Sequence, residues 1–240
     1  MGMAALPAER VLYRDDKIGI FWMAGNSGFR YNGTVRGRLP RVEENMSRKG
    51  EMVRTTKETD ISVTLELDGI GRSDIRSGIG FLDHMLTLTA LHGRMDLTVA
   101  CQGDLDVDCH HSVEDLGIVL GQALSAALGG REGVSRYGTA YVPMDETLVR
   151  VSLDLGNRPF LACNLPFTSQ RLGSLDTETI CEFFRAVSQA GGITLHIDCL
   201  RGSNNHHIAE AVFKAFGRAL REAAAVDPSI QGVLSTKGFL

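Results

Sequence analysis

The 240-residue sequence has no apolar stretch long enough to cross a bilayer, no long basic run with interleaved aromatics and no CxxC pair. Each absence removes a class of function. The apolar patch from Ile18 to Met23 falls well short of the ~20 residues a spanning helix needs and lacks the flanks of a signal peptide. A net charge of -4 without a basic stripe offers nucleic acid no electrostatic footprint, so the expected partner is a small molecule. The five cysteines (Cys101, Cys109, Cys163, Cys181, Cys199) are odd in number and sit in or beside apolar segments, which predicts reduced thiols and a reducing cytoplasm. No linker divides the chain. Its 43% hydrophobic content supplies a core for one domain or two tightly fused halves.

What is present is one chemical phrase written twice: His110-His111-Ser112-Val113-Glu114 and His206-His207-Ile208-Ala209-Glu210, each entering a segment with helical apolar spacing. Residues three and four apart share a helix face, so Glu114 neighbours His110 and His111, and Glu210 neighbours His206 and His207. Adjacent histidines diverge by about 100° around the axis, so each pair can serve two ions while its Glu stays near both. A lone HH pair is more often a satisfied polar surface; repetition at two helix entries predicts two metals. Imidazole with carboxylate suits zinc, manganese or iron, and the absence of sulfur from the phrase argues against a closed structural zinc site.

The duplication extends further. Glu58-Thr59 and Glu146-Thr147 each open an alternating segment, and each is followed by a helical stretch, Phe81 to Leu91 or Thr177 to Ala190, a glycine break, an apolar strand and HHxxE. Each half therefore reads strand, strand, helix, strand, helix, an α+β duplicated unit giving two sheets with helices on one face. Aligning the halves on their glycine breaks sets His84 opposite Glu182, two candidate further ligands. His84 competes with a cap or core role and Glu182 with an ordinary solvated carboxylate. His196 is the rival for the fourth place, but it matches Thr98 in the first half and ranks below Glu182.

These motifs closely resemble the imidazoleglycerol-phosphate dehydratase family, over about Val53 to Leu240. The resemblance rests on Arg54-Thr55-Thr56-Lys57-Glu58-Thr59, Gly80-Phe81-Leu82-Asp83-His84-Met85-Leu86, His110 to Asp115, Arg136-Tyr137-Gly138, Val142 to Glu146, Arg158-Pro159, His206 to Glu210 with Phe213-Lys214-Ala215, and Ser235-Thr236-Lys237-Gly238. It implies a ribosomal protein S5 domain 2-like fold and a site holding two Mn2+ shared between subunits of a large cubic homo-oligomer, typically a 24-mer. His84, His110, His111, Glu114, His206, His207 and Glu210 are its implied ligands. Two departures stand out: Glu182 where the family usually has His, and Cys109 where it commonly has Asp. The first adds negative charge to the ligand set. The second threatens a hydrogen-bond acceptor for a ligand imidazole, a loss of about 10- to 100-fold if nothing replaces it.

The implied reaction removes water from imidazoleglycerol phosphate to give imidazole acetol phosphate, a step of histidine biosynthesis. No carbonyl acidifies the departing C–H, so the ring must store charge as a metal-bound imidazolate, and a diazafulvene-like intermediate follows. Glu58 and His92 resemble the family's substrate-contacting residues. Glu58 is the candidate for proton transfer, with His92, His84 and Glu210 as further candidates; by position alone Glu58 is also an exposed strand residue and His92 a helix C-terminal cation. Arg136, Arg158, Ser235 and Lys237 match the family's phosphate contacts. A binuclear metallohydrolase and a non-catalytic metal-binding assembly are the rival readings.

Residues 1–51 differ in composition, with glycines at Gly25, Gly28, Gly33 and Gly37 and scattered arginine. They are expected to form a mobile extension before a catalytic domain at 52–240, with Met46 and Met52 as alternative starts. Within that domain the halves span about 52–130 and 136–226, and 227–240 is a phosphate-binding tail.

Overall fold

The computed structural model describes residues 12–14, 17–19 and 47–240. The chain divides into two units, Met1–Glu44 and Asn45–Leu240. In the first, β1 (Leu12–Arg14) pairs antiparallel with β2 (Lys17–Gly19). Most of the expected mobile extension lies outside the described residues. In the second unit the first strand, β3, already starts at Lys49.

The second unit is built twice from the same parts. The first half contains β3 (Lys49–Thr55), β4 (Thr59–Glu66), β5 (Ser73–Arg76), α1 (Gly80–Gly93), β6 (Asp96–Gly103) and α2 (His110–Leu128). The second contains β7 (Tyr137–Met144), β8 (Thr147–Asp154), β9 (Phe160–Asn164), a two-residue pair β10 (Arg171–Leu172) and β11 (Leu175–Asp176), α3 (Glu178–Gly191), β12 (Thr194–Arg201) and α4 (Asn205–Ala224). The sheets run β3-β4-β6-β5 and β7-β8-β12-β9, one topology repeated. Each half thus holds an edge strand that the expected order lacked, and the second half adds the β10–β11 pair. β5 and β9 are short edge strands, parallel to β6 and β12, with little of the alternation that marks β4 (Ile61, Val63 and Leu65 buried). An edge strand packs poorly on both faces, so its sequence carries a weak signal.

Helices cover one face of each sheet, α2 on β3 and β4, α4 on β7 and β8. The remaining helices cross between the halves: α1 packs on α4, and α3 on α2. Glycine makes both crossings close. A Cβ at Gly121 of α2 would collide with the Val187 carbonyl of α3, and one at Gly217 of α4 with the Thr89 carbonyl of α1. At the centre, Phe183 and Phe184 of α3 meet Phe213 and Phe216 of α4, with the Phe184 and Phe213 rings 4.9 Å apart. Burying each ring contributes roughly 2–3 kcal/mol. Among the described residues no helix is long and apolar enough to cross a membrane.

One expectation is corrected here. Cys163 and Cys181 form a disulfide, with Cα atoms 6.1 Å apart, while Cys101, Cys109 and Cys199 are free. The missing CxxC spacing was a poor guide because β9 and α3 are brought together by the fold, not by sequence proximity.

Candidate metal and substrate site

The second HHxxE sits where the sequence predicts it, in the first turn of α4. Asn204 caps this helix: its Oδ1 accepts from the backbone N–H of His206 at 2.9 Å and of His207 at 3.4 Å. The cap fixes the direction in which both imidazoles leave the backbone. Glu210, one turn on, is buried, and its Oε1 lies 2.9 Å from His206 Nε2. Because α1 crosses from the other half, His84 Nε2 reaches the same oxygen at 3.1 Å. Lys214, a further turn along α4, donates to Glu210 Oε2 at 2.5 Å. Burial pushes the Glu210 carboxyl up, but Lys214, His84 and His206 together outweigh it and hold the group down at about 2. Among the described residues, His84, His206 and Glu210 present ligand atoms that all lie within 4.8 Å of one another. Two imidazole nitrogens and a carboxylate oxygen fit a first-row divalent ion.

The first HHxxE also opens its helix. The His110 N–H donates to Asp108 Oδ1 at 2.7 Å, and His110 Nε2 stands 3.6 Å from Glu114 Oε2. His111 Nδ1 hydrogen-bonds Asp104 Oδ2 at 3.0 Å, with Glu58 Oε2 farther off at 3.9 Å. The Asp104 hydrogen bond, aided by the charge of Glu58, raises the His111 pKa against a smaller loss from burial. In the second half His207 Nδ1 bonds Glu146 Oε2 at 2.8 Å. Glu146 Oε1 also accepts the N–H groups of Ser203 and Asn204 and the Thr147 hydroxyl. The contact with His207, followed by these donors, holds its carboxyl far below the usual carboxylate range.

Glu182 occupies the fifth position of the 14-residue α3, as His84 does in the 14-residue α1. The internal symmetry therefore agrees with the alignment of the halves, yet among the described residues the side chain joins no ligand cluster within one chain. It turns to Arg185, three residues on, at 2.9 Å. His196 lies on the exposed face of β12, its ring 5.9 Å from that of Phe160. Cys109 is buried, and its Sγ accepts from the Asp176 N–H at 3.4 Å and donates to Asp176 Oδ2 at 3.7 Å. His92 sits eight residues beyond His84, about 12 Å along the helix. It borders a cavity of about 380 Å³ with Thr139, Tyr141 and Arg218. Burial, then the charges of Lys214 and Arg218, lower its pKa.

All four expected phosphate contacts line a single open cavity of about 930 Å³: Arg136, Arg158, Ser235 and Lys237. Their present partners differ. Arg136 is buried and holds Asp154 with a two-pronged contact, Nε to Oδ1 at 2.7 Å and Nη2 to Oδ2 at 3.0 Å, while Nη1 donates to the Leu234 carbonyl at 2.6 Å. Arg158 reaches the same Asp154 at 3.0 Å, but 63% of its side chain remains exposed, so its charge stays available to a ligand.

Sequence reasoning assigned no role to Asn204, Asp104, Glu146 or Lys214. Two of these were within reach of simple rules: Lys214 follows Glu210 at i,i+4, and Glu146 is the repeat partner of Glu58. Asp104 carries no pattern, because it meets His111 only through the loop after β6.

Residues 77–220 match the family described as imidazoleglycerol-phosphate dehydratase. Among curated proteins, the imidazoleglycerol-phosphate dehydratase of Heliobacterium modesticaldum is 61% identical over 194 residues, covering 80% of this chain and 100% of that protein. That of Thermoanaerobacter pseudethanolicus is 56% identical over 193 residues, with coverage of 80% and 100%. The crystal structure of the Staphylococcus aureus dehydratase superposes with a TM-score of 0.68 at 42% identity, covering 75% of this chain and 99% of that one. IGPD from Pyrococcus furiosus in complex with (S)-C348 gives 0.69 at 39% identity, with coverage of 79% and 100%. With its duplicated sheets, its paired HHxxE helices and these likenesses, the chain belongs to the imidazoleglycerol-phosphate dehydratase family.

Proposed function

We propose that this chain dehydrates D-erythro-imidazoleglycerol phosphate to imidazole acetol phosphate plus water, in histidine biosynthesis, using two Mn2+ per active site. The observation that carries the reading is the convergence of His84, His206 and Glu210 across the α1–α4 crossing. Those residues would hold one ion, and His207, His110, His111, Glu114 and Glu182 would supply the remaining ligands of the two sites. Oxygen and imidazole donors without thiolate suit manganese. Two cations held there would supply Lewis-acid chemistry, making it easier for the substrate's imidazole to give up its N–H proton near neutral pH.

The chain's own residues do the rest. The hydroxyl would leave from the side-chain carbon beside the ring, through the diazafulvene-like state that the resemblance implies, in which the next C–H is acidic. Glu58, with no side-chain hydrogen bond to restrain it among the described residues, moves the proton at these carbons. His92 is a second substrate contact. Arg158, Lys237 and Ser235 hold the phosphate, and Arg136 keeps the tail that carries two of them in place through the Leu234 carbonyl. The resulting enol ketonises. Within one chain the histidines of both clusters stay open to solvent, the His84, His206 and His110 side chains being 48%, 47% and 42% exposed. That favours sites completed by neighbouring copies in a cytoplasmic homo-oligomer, a 24-mer.

Stripping the protein with chelator and adding Mn2+ back tests the reading. An enolisable ketone should accumulate only in the reloaded sample, without inorganic phosphate. Phosphate release with no ketone would instead identify a binuclear hydrolase.

A further inference from the structure

Glu58 and Glu146 occupy matching places, each immediately before the second strand of its half, yet the two halves employ them differently. Glu146 lies 2.8 Å from His207 Nδ1, with Asp145 at 3.9 Å from the other ring nitrogen. Glu58 stands 3.9 Å from His111 Nδ1, and that nitrogen is bonded instead by Asp104 at 3.0 Å. Asp104 is the residue after β6; the residue after β12 is Gly202. A Cβ at Gly202 would crowd Thr147 Oγ1 and Ile208, so the second half has no room for a carboxylate there. The first half has one, and its only side-chain partner among the described residues is the His111 ring.

We infer that Asp104 and Glu146 are positioning residues that hold His111 and His207 with the proton on Nδ1 and Nε2 as the metal donor, and that Asp104 thereby releases Glu58 for substrate. The inference rests on the two-metal reading above. A carboxylate can only accept, so its bond to Nδ1 requires the proton there, and the lone pair is left on Nε2. Such outer partners fix the ring's tautomer and orientation and strengthen it as a ligand. Duplication of one ancestral Glu-Thr has then yielded two jobs, ring support in the second half and proton transfer in the first.

The test is Mn2+ binding to the full-length protein, read from the electron paramagnetic resonance signal of free Mn2+ during titration, with rates measured alongside. Glu146→Gln is the sharper variant. Its amide oxygen can keep the Ser203 and Asn204 N–H groups, which leaves the NH2 facing Nδ1 and drives the imidazole proton to Nε2. Asp104→Ala removes the other support, and Asp104→Glu should restore part of what it loses. In each of Glu146→Gln and Asp104→Ala, one of the two sites should weaken by about 10- to 100-fold while the other is unchanged. Glu58→Gln should bind both ions as tightly as wild type and lose rate. Wild-type affinity at both sites in Glu146→Gln and Asp104→Ala would overturn the inference and leave the two-metal reading standing. So would a Glu58→Gln protein that loses Mn2+ as Asp104→Ala does. A wild-type protein that takes up fewer than two ions per chain would overturn the two-metal reading itself.

Discussion

The two crossed helix pairs, α1 with α4 and α2 with α3, follow the same path but differ in what they gather. In the first, a buried carboxylate is shared by two imidazoles and an ammonium, so His84, His206, Glu210 and Lys214 form a network closed within one chain. In the second, the matching positions hold His110, Glu114 and Glu182, and Glu182 pairs with Arg185 on its own helix. The histidines are about equally exposed in both pairs, but the first encloses its carboxylate and ammonium, Glu210 and Lys214, while the second leaves Glu114 at the surface. A repeated backbone therefore does not impose a repeated environment. The depth at which the carboxylate sits decides whether the same donor types form a self-contained cluster or an open one.

The largest effect should separate the two carboxylates. Glu210→Ala strands Lys214, whose side chain is only 19% exposed, and should cost about 3 kcal/mol, because one partner of an enclosed ion pair is left alone. In chelator, where metal cannot contribute, that lowers Tm by roughly 6–12 °C. Glu114→Ala, at a half-exposed position, should stay within about 0.5 kcal/mol of wild type. With Mn2+ present both should lose rate, Glu210→Ala by about 1000-fold or more, since several kcal/mol of charge stabilisation go with the ion. Equal melting temperatures for the two variants would remove the distinction between a closed and an open pair.

A second contrast lies in the arginine forks. Arg48 grips Asp68 at 2.8 and 2.6 Å and donates to the Ala224 carbonyl at 2.5 Å, as Arg136 grips Asp154 and donates to the Leu234 carbonyl. Among the described residues only the second half adds another arginine, Arg158, to the shared aspartate. Arg158→Ala should raise KM by about 10- to 100-fold with Tm unchanged, matching the loss of one charge-assisted bond to phosphate. Arg48→Ala should leave KM alone and lower Tm. A KM effect from Arg48, or none from Arg158, would show that the extra arginine is not what distinguishes the halves.

How much of this was legible depended on whether the signal was local. The HHxxE phrases, the Glu-Thr pairs and the α+β duplication are patterns of a few residues, and each lands at its expected place, at a helix start or just before a strand. Ser235 and Lys237, proposed through the resemblance, share a cavity with Arg136 and Arg158. Contacts set by the crossing of helices were not legible. The approach of His84 to Glu210 spans 126 residues, and the Cys163–Cys181 bond depends on how β9 lies against α3. Glu182 lies between these cases: its alignment with His84 is correct in position, and within one chain a local Arg185 at i+3 supplies the charge partner that His84 finds across the fold. Sequence pattern locates a side chain on its element; competition among partners decides where it points.

The smallest difference concerns how each half anchors the strand that follows its crossing helix. Asp96, opening β6, accepts from the N–H groups of Ile70, Gly71 and Arg72 at 2.8, 3.0 and 2.9 Å. Thr194, opening β12, instead donates its hydroxyl to the Arg158 carbonyl at 2.7 Å. Burial works to raise the Asp96 carboxyl, but the three N–H groups and the charge of Arg72 lower it below its ordinary value of 3.8. A carboxylate with a lowered folded-state pKa contributes stability that is complete above the unfolded value and disappears as pH falls through the folded one. Acidification below about pH 4 should therefore loosen the first half's loop and spare the second's. Hydrogen exchange at Ile70, Gly71 and Arg72, corrected for its intrinsic pH dependence, should lose about tenfold in protection, the equivalent of one charge-assisted hydrogen bond. Around Thr194 it should not change. Asp96→Asn should show the reduced protection already at pH 7 and no further loss on acidification, because a neutral amide leaves nothing to titrate; protection that still falls with pH in that variant would place the acid-sensitive group elsewhere.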